Sequence, residues 1–253
     1  EVTFATGAKF SLYTFFMAVV NPGDEVIIPT PYWVSYGDQV KMAEGVPVFV
    51  QAKEDNHFKV TVEQLEAART AKTKVLVLNS PSNPTGMIYS REELLAIGNW
   101  AVAHDVLILA DDIYGRLVYN GNEFVPISSL SEAIRKQTIV INGVSKAYAM
   151  TGWRVGYAVG NPEIIAAMSK LTGQTTSNLT AVSQYATIEA LTGPQDSVET
   201  MRQAFEERLN TIYPLLCQVP GFEVVKPQGA FYLFPNVKKA MEMKGYTDVT
   251  EFT

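Results

Sequence analysis

Short apolar runs rich in β-branched residues alternate with helix-length amphipathic segments along most of this 253-residue chain. The runs at 75–78 and 106–109 are apolar at every position, which is typical of strands that are covered by helices on both faces. Alternation of this kind predicts βαβ units around a mainly parallel sheet. We therefore expect an α/β fold with three αβα layers, in which these two runs form central strands.

The same pattern divides the chain into predicted elements and into two parts. The strands are predicted at 26–28, 46–50, 75–78, 106–109, 139–141 and 155–159, and the helices at 33–43, 62–70, 92–103, 162–171, 181–191 and 195–217. After the last, heavily charged helix, runs at 222–225 and 230–234 predict a small pair of strands around Pro227-Gln228-Gly229. We place a boundary near residue 195, with a large domain at 1–195 and the start of a small α+β domain at 196–253.

Both ends of the sequence lead us to expect a fragment of a longer protein. Residue 1 is Glu rather than Met, and a predicted strand begins at once. Asp248, with Glu251 three residues later, forms a helix-start pattern close to the point where the sequence stops at Thr253.

Composition and charge exclude several classes of protein. With 47% hydrophobic and 18% charged residues, the chain is typical of a folded globular protein. Its net charge of −6 gives no general attraction to nucleic acid or to anionic lipid, and its longest apolar run, 12–20 even when Thr14 is counted, is too short to cross a membrane. Cys217 with His57 and His104 cannot build a Cys/His zinc site, so we expect no metal. A single cysteine cannot form an internal disulfide, which favours a reducing, cytoplasmic location.

Charged residues follow two predicted strands, at the places where open parallel sheets bind ligands. Lys146 follows one of them, with Arg154 eight residues further on. A partly desolvated lysine beside another cation loses its proton readily and becomes a nucleophile for aldehydes. Asp111 and Asp112 leave another strand, and because strand side chains alternate, at most one of them is expected to face the cleft. Each feature alone would also fit an ordinary surface loop.

Three further segments carry groups suited to a cleft. Residues 79–86, Asn-Ser-Pro-Ser-Asn-Pro-Thr-Gly, leave a predicted buried strand as a loop stiffened by two prolines. Trp33 is either a core aromatic or a flat platform for a planar ring. Thr6-Gly7-Ala8-Lys9 precedes a helical pattern at 10–20, and the free N–H groups of a helix N-terminus can hold a phosphate, although an ordinary helix start has the same sequence.

Three motifs occur in a fixed order: Ser-Pro-x-Asn-Pro-Thr-Gly at 80–86, Asp-x-x-Tyr at 111–114 and Ser-Lys-x-x-x-Met-x-Gly-x-Arg at 145–154. With these motifs the chain resembles the fold-type-I pyridoxal-phosphate enzymes, in particular class I aminotransferases of the bacterial aspartate aminotransferase type. The resemblance covers essentially the whole chain. It implies pyridoxal 5′-phosphate as the cofactor and the large domain of that fold.

The resemblance also implies roles for individual residues. Lys146 would be the internal aldimine lysine and proton shuttle. Asp111 would pair with the pyridine nitrogen, and Asn83 and Tyr114 would hydrogen-bond the phenolic oxygen of the ring. Trp33 would stack on the ring. The phosphate would be held by the side chains of Arg154 and Ser145 and by the backbone of Gly7, Ala8 and Lys9.

The activity that the resemblance implies is the transfer of an amino group from an amino acid, aspartate or similar, to a 2-oxo acid in amino-acid metabolism and biosynthesis. An ammonium at Lys9 could pair with a distal carboxylate of the substrate, or it could turn to solvent. The resemblance further implies a homodimer. The family's arginine for the substrate α-carboxylate, and a tyrosine given to the partner's phosphate, would lie outside 1–253, so we expect the site of this chain alone to be incomplete.

Other interpretations stay open at this point. A β-elimination or carbon–sulfur lyase reaction would use the same cofactor-holding residues, and a non-catalytic pyridoxal-phosphate sensor domain fused to a DNA-binding module would share the scaffold. A nucleotide-binding α/β domain is disfavoured because neither Gly-x-Gly-x-x-Gly nor Gly-x-x-x-x-Gly-Lys-Ser/Thr occurs.

Overall fold

The computed structural model describes residues 1–253. The strands are β1 Val2–Ala5, β2 Glu25–Thr30, β3 Val46–Gln51, β4 Thr73–Asn79, β5 Leu107–Asp111, β6 Thr138–Gly143, β7 Gly156–Val159, β8 Glu223–Val224 and β9 Pro235–Asn236. The helices are α1 Ala8–Val19, α2 Ser35–Met42, α3 Val62–Ala68, α4 Arg91–Ala103, α5 Glu132–Lys136, α6 Val144–Ala147, α7 Pro162–Thr175, α8 Ala181–Thr192, α9 Asp196–Cys217, α10 Lys238–Lys244 and α11 Val249–Phe252. None of these helices combines the length and the apolar character that a membrane span requires.

Seven strands form one mixed sheet in the order β1-β7-β6-β5-β4-β2-β3. The five strands from β6 to β3 pair in parallel, whereas β7 runs antiparallel to both of its neighbours, β6 and β1. The predicted mainly parallel sheet is therefore confirmed.

Helices cover both faces of this sheet. Successive residues of β4 alternate between two apolar cores: Val75 and Val77 pack with buried residues of α1, α2 and α7, while Leu76 and Leu78 pack with those of α3 and α4. All four side chains are buried, which is why the whole run is apolar. The three-layer αβα architecture predicted from the sequence is confirmed.

The connection from β6 to β7, which includes α6, returns the chain so that the start of β7 lies between the end of β1 and the end of β6. Gly156, the first residue of β7, lies opposite Ala5 on one side and opposite Gly143 on the other. A Cβ at Gly156 would lie 2.6 Å from the Cα of Ala8, so only glycine allows α1 to begin this close to the sheet. The N-terminus of α1 therefore lies at the same sheet edge as the loop that follows β6.

The second part of the chain departs from the prediction. β8 pairs with β9, as Glu223 opposite Asn236 and Val224 opposite Pro235, so the predicted strand at 230–234 is wrong. Residues 230–234 are irregular because the backbone here bonds to the first part of the chain: the Ala230 N–H donates to Leu117 O at 2.9 Å. The domain boundary near residue 195 stays a prediction.

Candidate active site

A cavity of about 230 Å³ lies where the parallel strands β4, β5 and β6 end. The cavity is lined by all the site residues predicted from the sequence except Gly7. Its lining consists of Ala8, Lys9, Leu12, Trp33, Tyr36, Asn79, Asn83, Asp111, Ile113, Tyr114, Ser145, Lys146, Thr151, Arg154 and Tyr232. Gly7 is buried behind the cavity and precedes α1.

One end of the cavity is positively charged. α1 begins at Ala8 after Gly7, with no side chain capping its free N–H groups. Arg154 lies across this helix terminus, since a Cβ on Gly7 would lie 2.8 Å from the Arg154 Cζ. The guanidinium donates to Thr151 O at 2.9 Å and forms no salt bridge. A helix N-terminus and an arginine without an acidic partner suit a bound anion such as a phosphate.

Lys146 lies in the short helix α6, directly after β6, and its side chain is half-buried. Its Nζ lies 5.7 Å from the centre of the Tyr114 ring and 5.1 Å from that of Phe231. Burial lowers the pKa of the Lys146 ammonium, the charge of Arg154 lowers it further, and Asp111 acts in the opposite direction. The amine is therefore more easily deprotonated than that of a surface lysine.

Asp111 supplies the negative group of the cavity. It is the last residue of β5 and is buried, and its carboxylate accepts hydrogen bonds from the Tyr36 hydroxyl at 2.6 Å and from the Ile113 N–H at 3.3 Å. Burial raises the pKa of Asp111 to about 6, against the lowering effect of both hydrogen bonds and of Lys146. A cation bound against this carboxylate would stabilise its charged form.

Asp112 does not line the cavity, as the alternation of strand side chains predicts. It is only 6% exposed, and its carboxylate makes no hydrogen bond. Burial, and secondarily the charge of Asp111, raise the pKa of Asp112 to about 8.

The loop after β4 positions Asn83 beside Tyr114. The Asn79 side chain accepts a hydrogen bond from the Asn83 N–H at 2.7 Å and donates one to Asp111 O at 2.8 Å. The Tyr114 hydroxyl lies 2.6 Å from that of Tyr232. Burial raises the pKa of Tyr114 far above its ordinary value, Tyr232 raises it further, and a hydrogen bond from Asn83 lowers it.

Lys9 and Trp33 lie against each other at the side of the cavity. The Lys9 Nζ is 4.8 Å from the centre of the Trp33 ring, a cation–π distance, although Lys9 is exposed to solvent. The half-buried indole packs edge-to-face on Tyr36 at 5.5 Å, and the buried Ser145 lines the cavity from α6.

Tyr36 and Tyr232, whose hydroxyls hydrogen-bond the predicted site residues Asp111 and Tyr114, are among the cavity residues that the sequence did not predict. Tyr36 lies three residues after Trp33, and on the predicted helix 33–43 this spacing places both side chains on one face, so Trp33 could have pointed to Tyr36. Tyr232 carries no comparable signal, because its contact with Tyr114 joins distant parts of the chain.

These groups fit pyridoxal 5′-phosphate. The uncapped helix terminus with Arg154 suits its phosphate, the Tyr36-bound carboxylate of Asp111 suits a protonated ring nitrogen, and a lysine of lowered pKa lies in the same cavity.

Comparisons with known proteins agree with this chemistry. The model of the family "Aminotransferase class I and II" matches residues 1–251. An asparagine–oxo-acid transaminase of Streptococcus mutans is 76% identical over all of this chain and 64% of its own length, and an aspartate aminotransferase of Bacillus sp. strain YM-2 is 58% identical with the same coverage. The crystal structure of an aspartate aminotransferase from Rhizobium meliloti superposes with a TM-score of 0.92 at 44% identity, over 94% of this chain and 60% of that one. The chain thus spans 64% of the length of both of these curated relatives.

Proposed function

Because the chain belongs to the class I and II aminotransferases, we propose that the whole protein transfers the amino group of aspartate, or of a similar amino acid, to a 2-oxo acid with pyridoxal 5′-phosphate as cofactor. The observation that carries this proposal is one cavity that contains the Lys146 amine, the Asp111 carboxylate and an anion-binding helix terminus with Arg154.

The cofactor would supply an aldehyde that links to amines and a protonated ring that withdraws electrons from the substrate. The residues that would hold it differ in the part of the molecule they contact. The phosphate would contact Arg154, Ser145 and the backbone of Ala8 and Lys9, and Gly7, which has no side chain, leaves room for Arg154. The ring would contact Trp33, Asp111, Asn83 and Tyr114.

Lys146 does the proton transfer in this proposal. Its Nζ takes the proton from the substrate Cα, holds it, and gives it back at a later step. Burial and Arg154 lower the pKa of this amine, which makes it easier to deprotonate than a surface lysine and so better suited to act as a base. Asp111 stays ionised when it faces a protonated ring nitrogen, and Tyr36 orients it by a 2.6 Å hydrogen bond.

The position of Lys9 favours a substrate that carries an oxygen at the end of a short side chain. Its ammonium lies beside Trp33 at the cavity wall, and it can donate to a carboxylate or to an amide oxygen. The names of the relatives from Bacillus and Streptococcus mutans, for aspartate and asparagine, are consistent with both. We therefore propose aspartate and asparagine as the first substrates to test.

We also propose that the whole protein is a cytoplasmic homodimer. The single exposed cysteine, Cys217, suits a reducing compartment. Exposed apolar side chains on β1 and α8, among them Phe4, Tyr185 and Ile188, supply a surface that a second subunit could cover.

The test uses the whole protein loaded with pyridoxal 5′-phosphate. Addition of aspartate should convert the cofactor to its pyridoxamine form and release oxaloacetate, whereas a lyase would release ammonia and leave the aldehyde form. Borohydride reduction before substrate is added should fix the cofactor to Lys146, and Lys146→Ala is the control. A modified peptide without Lys146, or a cofactor spectrum that no amino acid changes, would contradict the proposal.

A further inference from the structure

The segment 227–234 is fixed firmly against the first part of the chain. The Gly229 N–H donates to Gly86 O at 2.9 Å, and the Ala230 N–H donates to Leu117 O at 2.9 Å. Ala230 is completely buried. These bonds, made by backbone rather than by flexible side chains, leave the next two residues little freedom of position.

The two residues after Ala230 lie beside Lys146 and Tyr114. Phe231 places its ring 5.1 Å from the Lys146 Nζ, and Tyr232 lines the cavity with its hydroxyl 2.6 Å from that of Tyr114. The rings of Tyr114 and Tyr232 pack edge-to-face at 5.7 Å. Tyr114 is therefore bounded by groups of the segment 227–234 on the side where its hydroxyl points.

The two hydroxyls share one hydrogen bond, and its direction depends on what else Tyr114 contacts. A tyrosine hydroxyl has a single proton to donate and can also accept. When Tyr114 donates its proton to an oxygen anion in the cavity, it can no longer donate to Tyr232. Tyr232 must then be the donor, and a hydroxyl that accepts one hydrogen bond donates a stronger one.

We propose that Tyr232 is a positioning residue that acts through Tyr114: its hydroxyl donates to the Tyr114 oxygen and directs the Tyr114 proton toward the phenolic oxygen of the bound cofactor. This inference rests on the proposed function. A phenolic oxygen that receives a stronger hydrogen bond is stabilised as an anion, and it holds a proton at the neighbouring Lys146 nitrogen less tightly. Tyr232 thereby lowers the pH at which the bound cofactor changes its absorbance.

The experiment is a pH titration of the cofactor absorbance in the whole protein without substrate. Tyr232→Phe removes the donor and keeps the ring, so the titration midpoint should rise by about 0.5 to 1 pH unit, the size of one neutral hydrogen bond. Tyr114→Phe should raise the midpoint at least as much. In the Tyr114→Phe background, Tyr232→Phe should add no further rise, because its effect passes through the missing hydroxyl.

Tyr119→Phe is the matched control. The Tyr119 hydroxyl donates to Ala230 O, so this variant loosens the same segment without removing a hydroxyl from the cavity. It should lower the free energy of unfolding and leave the midpoint within about 0.2 pH units.

The outcomes separate this inference from the proposed function. If Tyr232→Phe leaves the wild-type midpoint unchanged, or shifts it equally with and without the Tyr114 hydroxyl, Tyr232 does not act through Tyr114 and the inference is wrong while the proposed function stands. A wild-type protein that takes up no pyridoxal 5′-phosphate would overturn both.

Discussion

Asp111 and Asp112 are adjacent in sequence, but their carboxylates lie in different surroundings. The Asp111 carboxylate faces the cavity and accepts two hydrogen bonds, whereas that of Asp112 is buried on the other side of the strand end without any. A carboxylate with donors around it can carry a charge, and one without them is destabilised as an anion. The two residues should therefore respond differently to the same substitution.

Asp111→Asn should lower kcat by at least about a hundredfold, because an amide cannot stabilise a protonated ring nitrogen as a carboxylate does. Asp112→Asn should leave kcat within a factor of about three. Steady-state kinetics with aspartate on both loaded variants makes the comparison. Equal losses, or a larger loss for Asp112→Asn, would assign the cofactor contact to the wrong carboxylate.

Asp112 should also make stability depend on pH. Its pKa is about 8 in the folded protein, against about 4 for an unfolded chain, so between these pH values the folded state retains a proton that the unfolded state has lost. The free energy of unfolding therefore falls as pH rises from 4 to 8. Asp112→Asn removes this effect, and the stability of the variant relative to wild type should increase across that range by at least about 1 kcal/mol. Urea unfolding at pH 5 and pH 8 measures the change, and a pH-independent difference would contradict it.

Lys9→Ala should reduce kcat/KM for aspartate and glutamate by a factor equivalent to about 1.5–3 kcal/mol, the range for hydrogen bonds to charged groups. Alanine and phenylalanine, which have no distal carboxylate, should be nearly unaffected. Lys41→Ala, a change on the exposed face of α2, is the control. A uniform loss over all four amino acids would show that Lys9 serves the cofactor rather than the substrate side chain.

At the scale of elements, the local sequence pattern was enough to predict an element where residues close in the sequence determine it. The run at 75–78 identified β4, and Asp248 identified the start of α11, where its side chain accepts hydrogen bonds from the backbone of Thr250 and Glu251. The run at 230–234 failed as a strand because its pattern carries no information about Leu117, the distant residue to which its backbone bonds.

The residues of the candidate site likewise fall into those that the local sequence could predict and those that it could not. Lys146, Asp111 and Arg154 could be selected because each lies at a strand end or in a recognisable motif. Tyr232 could not be selected, since only the approach of two distant segments places it beside Tyr114.

The approach of the segment 227–234 to the first part of the chain depends on Gly86. Its φ is +69°, and a Cβ there would lie 2.5 Å from the Pro227 Cβ and 2.7 Å from Gly229 O. Gly86→Ala should lower the free energy of unfolding by at least about 1 kcal/mol more than Gly121→Ala, whose φ is +73° but whose Cβ would meet nothing within 4 Å. Urea unfolding of both variants separates steric conflict from backbone strain. An equal loss of unfolding free energy in the two variants would mean that the segment 227–234 moves aside at little cost.

At the scale of the whole molecule, α8 has an inverted polarity. Its buried positions include Ser183 and Thr187, while Val182, Tyr185 and Ile188 are 62%, 75% and 57% exposed. A helix that turns its apolar side chains to solvent is typical of a surface that another subunit covers.

Ile188→Asp should therefore weaken the homodimer of the whole protein and raise its dissociation constant by about tenfold or more, because a buried unpaired charge costs at least about 1.4 kcal/mol. Leu95→Asp, on the exposed side of α4, is the control and should leave association unchanged. Sedimentation at several concentrations gives the constant. An unaltered dimer in the Ile188→Asp variant would place the interface elsewhere.

The pairing of β1 with β7 also fixes when the cation-rich end of the cavity can form during synthesis. Val2 lies opposite Val159, so β1 has no partner in the sheet until residues near 160 have left the ribosome. Only then does the N-terminus of α1 come next to Arg154. Anion binding at this end thus depends on the β1–β7 pairing, and retention of the cofactor's phosphate reports that the longest-range strand pairing of the sheet is complete.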